Sequence, residues 1–228
     1  MSFNWTQIIP GVSHETVHVA TLTAATLAVV ALGATARAQL GTGQQAVVPA
    51  SRLSVRGIFE IITEFIYKLA NQVIGHDGKY YVPYFTAIFF FILFNNFIGI
   101  IPGMTPATEN MNTTFAFGVF SFLAYNFVGF KRQGVAYLKH FVGPIWWMFM
   151  IMVPIEIISN AIRPLTLGLR LSNVMRGDHT VLSVFLDLVP IGIPIPFYLM
   201  GILVSIIQAF VFTLLSMVYV ALAQASDH

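Results

Sequence analysis

Hydrophobic residues run in long blocks along this 228-residue chain. Five of them are long enough to cross a hydrocarbon layer about 30 Å thick, which takes about 20 helical residues. They are Val17 to Ala36, Tyr80 to Ile101, Thr113 to Phe130, Ile145 to about Leu186, and Phe197 to Ala223. The last two are too long to stand upright: at about 1.5 Å per residue, 27 residues rise about 40 Å and 42 rise about 63 Å, so both are expected to tilt strongly. Pro164 predicts a kink, Pro190 an end, and Asp187 to Pro196, with three prolines and a glycine, the turn between the two.

Ser51 to Gly75 follows a different pattern. Ile58, Ile62, Phe65, Leu69 and Val73 fall on one helical face and Arg56, Glu60, Glu64 and Lys68 on the other, with Glu64 and Lys68 ordered for an i,i+4 pair. This predicts an amphipathic helix lying along the membrane surface. The expected fold class is all-α: a polytopic membrane protein of about five membrane segments plus one interfacial helix, without internal repeats. Residues 1–228 form a single membrane domain, in which 1–50 hold the outer amino terminus and first span, 51–79 the inner interfacial helix, and 80–228 the helical bundle.

Composition agrees, since 57% of residues are hydrophobic and only 9% charged, against about 25% charged in soluble domains. The basic residues are too scattered for a nucleic-acid surface. The absence of cysteine removes disulfides, thiolate metal sites and thiol nucleophiles. Arg37, Arg52, Arg56, Lys68 and Lys79 lie between the first two spans, and Lys131, Arg132 and Lys139 between the third and fourth. The second-to-third loop has only Glu109. The positive-inside rule then puts the amino terminus outside and the carboxyl terminus in the cytoplasm. Ala34, Ala36 and Ala38 offer cleavage-like small residues. Residues 1–16 hold no lysine or arginine, however, so the first block is expected to be a retained span rather than a secretory leader.

His14, Glu15 and His18 spell H-E-x-x-H, a spacing that on a helix can hold zinc beside a general-base carboxylate. A third ligand would be needed, and Glu109 is the only acid in a loop on the same side. An intramembrane zinc hydrolase is therefore one reading. The other is a polar helix start at the outer interface, with Ser13 as cap and Glu15 in the first turn.

The fourth block carries the chemistry. Glu156, Arg163, Arg170, Arg176 and Asp178 interrupt an otherwise apolar run, and near mid-bilayer each charge costs about 2.5 to 3.5 kcal/mol even on lenient scales. At about 100° per residue, Glu156, Ser159, Arg163 and Arg170 share a band of about 60°. Asp178 follows Arg170 by about 12 Å along the axis and Glu156 precedes it by about 21 Å. Carboxylate and imidazole exchange protons near working pH, whereas arginine stays charged. A fixed guanidinium between two wet pockets repels a hopping proton and attracts a carboxylate presented by a neighbouring subunit. The facing block, Phe197 to Ala223, has no formal charge and one amide, Gln208. Against this stands a purely structural use, in which the charges join helices or reach to the interface.

The run from Glu156 through Arg163-Pro164-Leu165-Thr166-Leu167-Gly168-Leu169-Arg170-Leu171, together with Gln208-Ala209-Phe210-Val211-Phe212, resembles subunit a of F-type ATP synthase. Phe94-Asn95-Asn96-Phe97-Ile98-Gly99-Ile100-Ile101-Pro102-Gly103 and Tyr219 extend the likeness from about Ser51 to the end. The resemblance implies a non-catalytic stator subunit, with the bacterial inner membrane as its expected location and an organellar inner membrane as the alternative. It would lie beside a rotating c-subunit ring, with peripheral-stalk b subunits and membrane lipid as its other partners and no cofactor. By position, Arg170 would face the ring carboxylate and separate two offset half-channels, with Gln208 opposite it. Glu156 and Ser159 would line the inner half-channel, and Asp178, His179 and Asn96 the outer one.

The chain departs from the family's pattern twice. Where the family usually has R-L-x-x-N-M, Asn173 stands one residue early, in Arg170-Leu171-Ser172-Asn173-Val174-Met175. The position seven before Gln208, often histidine or an acid, is Gly201. Asp178 with His179 is expected to fill that gap, because a glycine leaves room for a carboxylate from the facing helix.

Overall fold

The computed structural model describes residues 16–40, 54–101, 103–134, 149–188 and 194–224. Among these, the regular structure is entirely helical: α1 (Val17–Gln39), α2 (Val55–Val73), α3 (Val82–Ile98), α4 (Met111–Gln133), α5 (Phe149–Leu188) and α6 (Pro194–Gln224). Two short 3-10 turns, His76–Tyr81 and Ala107–Glu109, lead into α3 and α4. Of the turn expected from Asp187 to Pro196, Asp187 and Leu188 end one helix and residues 194–196 begin the next, while 189–193 lie outside the described residues, as do His14 and Glu15.

Val17–Gln39, His76–Ile98, Met111–Gln133 and Ile195–Gln224 are long and apolar enough to cross a membrane. Helix α5, at 40 residues the longest, runs without a break through Pro154 and Pro164. It carries embedded charges, and only a position against other protein or water makes such charges tolerable at membrane depth. Leu27 is 70% exposed, Phe127 68% and Leu199 68%. Outward-facing apolar side chains of this kind are what a lipid-solvated surface requires.

Helices α4 and α6 form the platform on which α5 packs, and α3 lies against α6. Leu167, Leu171 and Met175 of α5 are buried in one core with Phe85, Phe89 and Ile92 of α3, Tyr125 of α4, and Ala209, Phe212 and Met217 of α6. The α4–α5 approach is backbone to backbone. A Cβ on Gly118 would collide with the Pro164 carbonyl oxygen, and one on Gly168 would lie 2.8 Å from the Thr114 carbonyl oxygen. Small residues at such crossings let membrane helices gain van der Waals contact without a hydrophobic driving force.

Pro164 lacks the N–H that would bond the Asn160 carbonyl one turn earlier. The buried Tyr125 hydroxyl lies 3.4 Å from that carbonyl and 2.6 Å from Asn160 Oδ1. Asn160 Nδ2 in turn donates to Asn126 Oδ1 at 3.4 Å. The local cost of a mid-helix proline is thus offset by a hydrogen-bonded group on the neighbouring helix.

Helix α2 begins at Ser54, whose hydroxyl accepts from the Gly57 amide at 3.1 Å. The expected pair forms, with Lys68 Nζ 2.7 Å from Glu64 Oε1, and Arg56 Nε meets Glu60 Oε1 at 2.5 Å. The buried edge of α2 is centred on Ile66 and Ala70, flanked by Ile62, Leu69 and Val73, while Ile58 and Phe65 stay about half exposed. Stacking of Phe59 on Phe90, with ring centroids 4.2 Å apart, and contact between Phe65 and Phe210 dock it on the bundle. An apolar face on such a helix therefore serves two neighbours, helices along one edge and the exposed side along the other.

Candidate functional site

The three arginines of α5 have different surroundings. Arg163 lies over the Tyr219 ring, 5.7 Å from its centroid. Arg176 Nη2 donates to the Glu109 carbonyl at 3.2 Å. Arg170 is exposed on the surface of the chain, and among the described residues no acceptor or carboxylate lies within bonding distance of it. A guanidinium brings five N–H donors and a permanent charge, so at membrane depth this is a group that calls for a partner beyond the described residues.

Gln208, on the facing helix α6, is 5% exposed, and its Nε2 is buried without a hydrogen-bond partner. Leu167 and Leu171 below Arg170 pack into the same core as Ala209 and Phe212. An amide donor left open in a helical interior is uncommon, and each such group needs a physical reason.

Asp178 is half buried on α5 and points at α6. A Cβ built on Gly201 would lie 2.9 Å from its Oδ2. The carboxylate thus occupies the space that a side chain at position 201 would take.

His179, one residue on, turns instead towards the loop between α3 and α4. Its Nε2 lies 3.0 Å from the Gly99 carbonyl oxygen and its Nδ1 3.5 Å from Glu109 Oε2. The Glu109 turn is pinned to α5 by its backbone carbonyl, which accepts from Ser172 Oγ at 2.9 Å as well as from Arg176. Beside the pair opens a cavity of about 240 Å³, lined by Gly99, Met104, Thr105, Glu109, His179, Ser183 and Tyr198 among others. From the sequence, Glu109 figured as the one charge of the second-to-third loop and as a candidate third zinc ligand, not as a partner of His179. Its placement beside His179 depends on the α3–α4 turn folding back over α5, which local pattern does not reveal.

The other expected residues are dispersed. Asn96 is buried as a strut, accepting from Thr108 Oγ1 at 2.7 Å and donating to the Ser205 carbonyl at 3.4 Å. Ser159 and Asn173 are exposed on α5. For Glu156 only the helical backbone is described. His18 sits in the first turn of α1, and no group of three or more metal-capable side chains occurs among the described residues.

The opposite end of the bundle is tied by a second polar cluster. Arg132 at the end of α4 pairs with Asp77 before α3 and donates to Gln224 Oε1 at 3.1 Å, while Gln133 Nε2 donates to the Ala223 carbonyl at 3.2 Å. The ends of α4 and α6 and the start of α3 thus meet at one pole, and the Glu109–His179 cavity lies at the other.

Fold and site together define a polytopic α-helical membrane protein organised around one charge-bearing helix. The sequence profile of the ATP synthase A chain family matches residues 17–221. ATP synthase subunit a of Bdellovibrio bacteriovorus is 67% identical over 100% of both chains. ATP synthase subunit a 1 of Syntrophotalea carbinolica is 45% identical over 76% of this chain and 74% of its own, and ATP synthase subunit a of Geobacter sulfurreducens 45% over 73% and 72%. The chain belongs to the ATP synthase A chain family.

Proposed function

We propose that this protein is the proton-translocating stator subunit of a rotary ATP synthase, working beside a c-subunit ring and anchored to b subunits of the peripheral stalk. The observation that carries the reading is the exposed guanidinium of Arg170, which has no partner among the described residues, flanked on the same helix by two cations that have partners within the chain. A ring carboxylate arriving deprotonated is drawn to Arg170, and a free proton is repelled from it, so protons do not leak directly between the two sides. The buried, unpaired Nε2 of Gln208 is a neutral donor suited to the same carboxylate.

Two offset half-channels follow from this arrangement. The outer one runs past the cavity at His179 and the Asp178 carboxylate, with Asn96 holding its wall. The inner one runs along Glu156 and Ser159 towards the opposite pole, and Asn173 lies on the intervening stretch of α5. Protons entering from outside neutralise a ring carboxylate, which then turns into lipid and discharges inside after nearly a full rotation. The torque drives ATP synthesis on a separate soluble head.

This reading places residues 1–228 as one membrane domain in the bacterial inner membrane, with the amino terminus outside and the carboxyl terminus cytoplasmic. Residues 51–79 lie on the inner face and 80–228 carry the channel. The polar clusters at the two poles support that assignment. Glu109 is the only charged residue at the turn between α3 and α4, while Arg132 lies at the positively charged opposite pole.

The test is proton flux and ATP synthesis in vesicles holding the assembled enzyme. Arg170→Ala is expected to abolish coupled synthesis while the complex still assembles. Arg170→Lys is expected to retain little, because a point-charge ammonium does not reproduce the guanidinium fork. Unchanged coupling in Arg170→Ala would leave only an anchoring role.

A further inference from the structure

We propose that Glu109 is a proton-relay residue that loads His179 from the cavity at the α3–α4 turn. The inference rests on the half-channel reading above and adds a group that reading does not contain.

The geometry fixes the roles. A carbonyl oxygen can only accept, so the 3.0 Å contact from His179 Nε2 to Gly99 O requires the proton on Nε2. The neutral imidazole then presents its Nδ1 lone pair to Glu109, whose Oε2 is 3.5 Å away, buried and without a hydrogen-bond partner. A rotation of the carboxyl group closes that gap to bonding distance. The cavity of about 240 Å³ has polar lining groups in Glu109, His179, Thr180, Ser183 and Tyr198. At about 30 Å³ per molecule it has room for several waters.

The transfer balances. Cavity water delivers a proton to the Glu109 carboxylate. The carboxyl O–H then breaks as an N–H bond forms at Nδ1, which leaves carboxylate beside imidazolium. The imidazolium passes its proton on towards Asp178, the adjacent residue at Gly201, and the carboxylate takes the next proton from water. Among the described residues, the other charged or titratable groups near this cavity are Arg176, already bound to the Glu109 carbonyl, Tyr198 at the cavity wall, and His18 in the first turn of α1. The turn itself is held through backbone oxygen, so its position does not depend on the Glu109 side chain.

The experiment uses the assembled enzyme in vesicles, with proton flux measured while pH is varied on the side of the α3–α4 turn. Glu109→Gln is expected to lower flux several-fold near neutrality and to change the shape of the pH profile, since the amide can no longer take up and release a proton. Glu109→Asp is expected to restore the profile. A Glu109→Gln profile that superimposes on the parent's after scaling, or an Asp variant that behaves like Gln, would overturn the relay. His179→Ala separates the two levels. If it lowers flux while Glu109→Gln keeps the parental profile, only the relay fails. If His179→Ala changes nothing, the half-channel at this cavity fails with it.

Discussion

The Asp178 carboxylate fills the place of a side chain at Gly201, its Oδ2 2.9 Å from where a Cβ would sit. The two positions are therefore coupled through shared volume. Gly201→Ala pushes against the far end of a flexible side chain, so proton flux is expected to fall only a few-fold. Gly201→Leu displaces the carboxylate and is expected to remove most of the flux. Combining Asp178→Gly with Gly201→His puts the titratable group on the other helix and is expected to retain measurable flux. Loss of all flux in that double variant would show that the two sites are not exchangeable.

The crossing of α4 over α5 is predicted to be the least tolerant contact in the bundle. Gly118→Ala meets the Pro164 carbonyl and Gly168→Ala the Thr114 carbonyl, both backbone atoms that cannot rotate away. Overpacking of this kind typically costs about 1 to 3 kcal/mol. Thermal unfolding in detergent should show a lower midpoint for either variant, and assembly into the complex should drop in parallel.

Tyr125→Phe removes one hydroxyl and leaves both the Asn160 amide oxygen and the carbonyl orphaned by Pro164 without their donor. Buried acceptors stripped of a partner cost about 1 to 3 kcal/mol. The destabilisation should be non-additive with Asn160→Leu, because the two residues belong to one network. A double-variant cycle with no coupling energy would contradict the assignment.

The Arg132–Asp77 pair is expected to matter far less. Both side chains are well exposed, at 47% and 38%, and pairs of this kind contribute about 0 to 1 kcal/mol. Arg132→Ala should leave unfolding in detergent nearly unchanged at moderate salt. A large loss would mean that the pole is held by this pair and not by the neighbouring Gln133 bond to the Ala223 carbonyl.

Much of the helical layout was legible because membrane segments announce themselves by length and apolarity. The expected spans and the observed helices coincide to within a few residues at most ends. The Asp178–Gly201 relation could be read because a missing side chain on one helix and an extra acid on the other are both visible as residues. Contacts between distant segments were not legible in this way. Nothing local to Glu109 points to His179, and nothing local to Pro164 points to Tyr125. In each case the partner is supplied by a turn or a neighbouring helix whose approach depends on the whole bundle. The amphipathic pattern of α2 likewise marked an apolar face, yet lipid and a packed helix impose the same periodicity. Docking of Ile66 and Ala70 on the core emerged only from the structure.

Where Gly118 and Gly168 bring α4 and α5 together, no flexible side chain is interposed. A sideways push on the helix that bears Arg170 is therefore handed to its neighbour through peptide groups, which deform far less readily than rotamers do. The bundle can in this way behave as a rigid abutment, and on the proposed reading it would keep one guanidinium in register while the partner does the yielding.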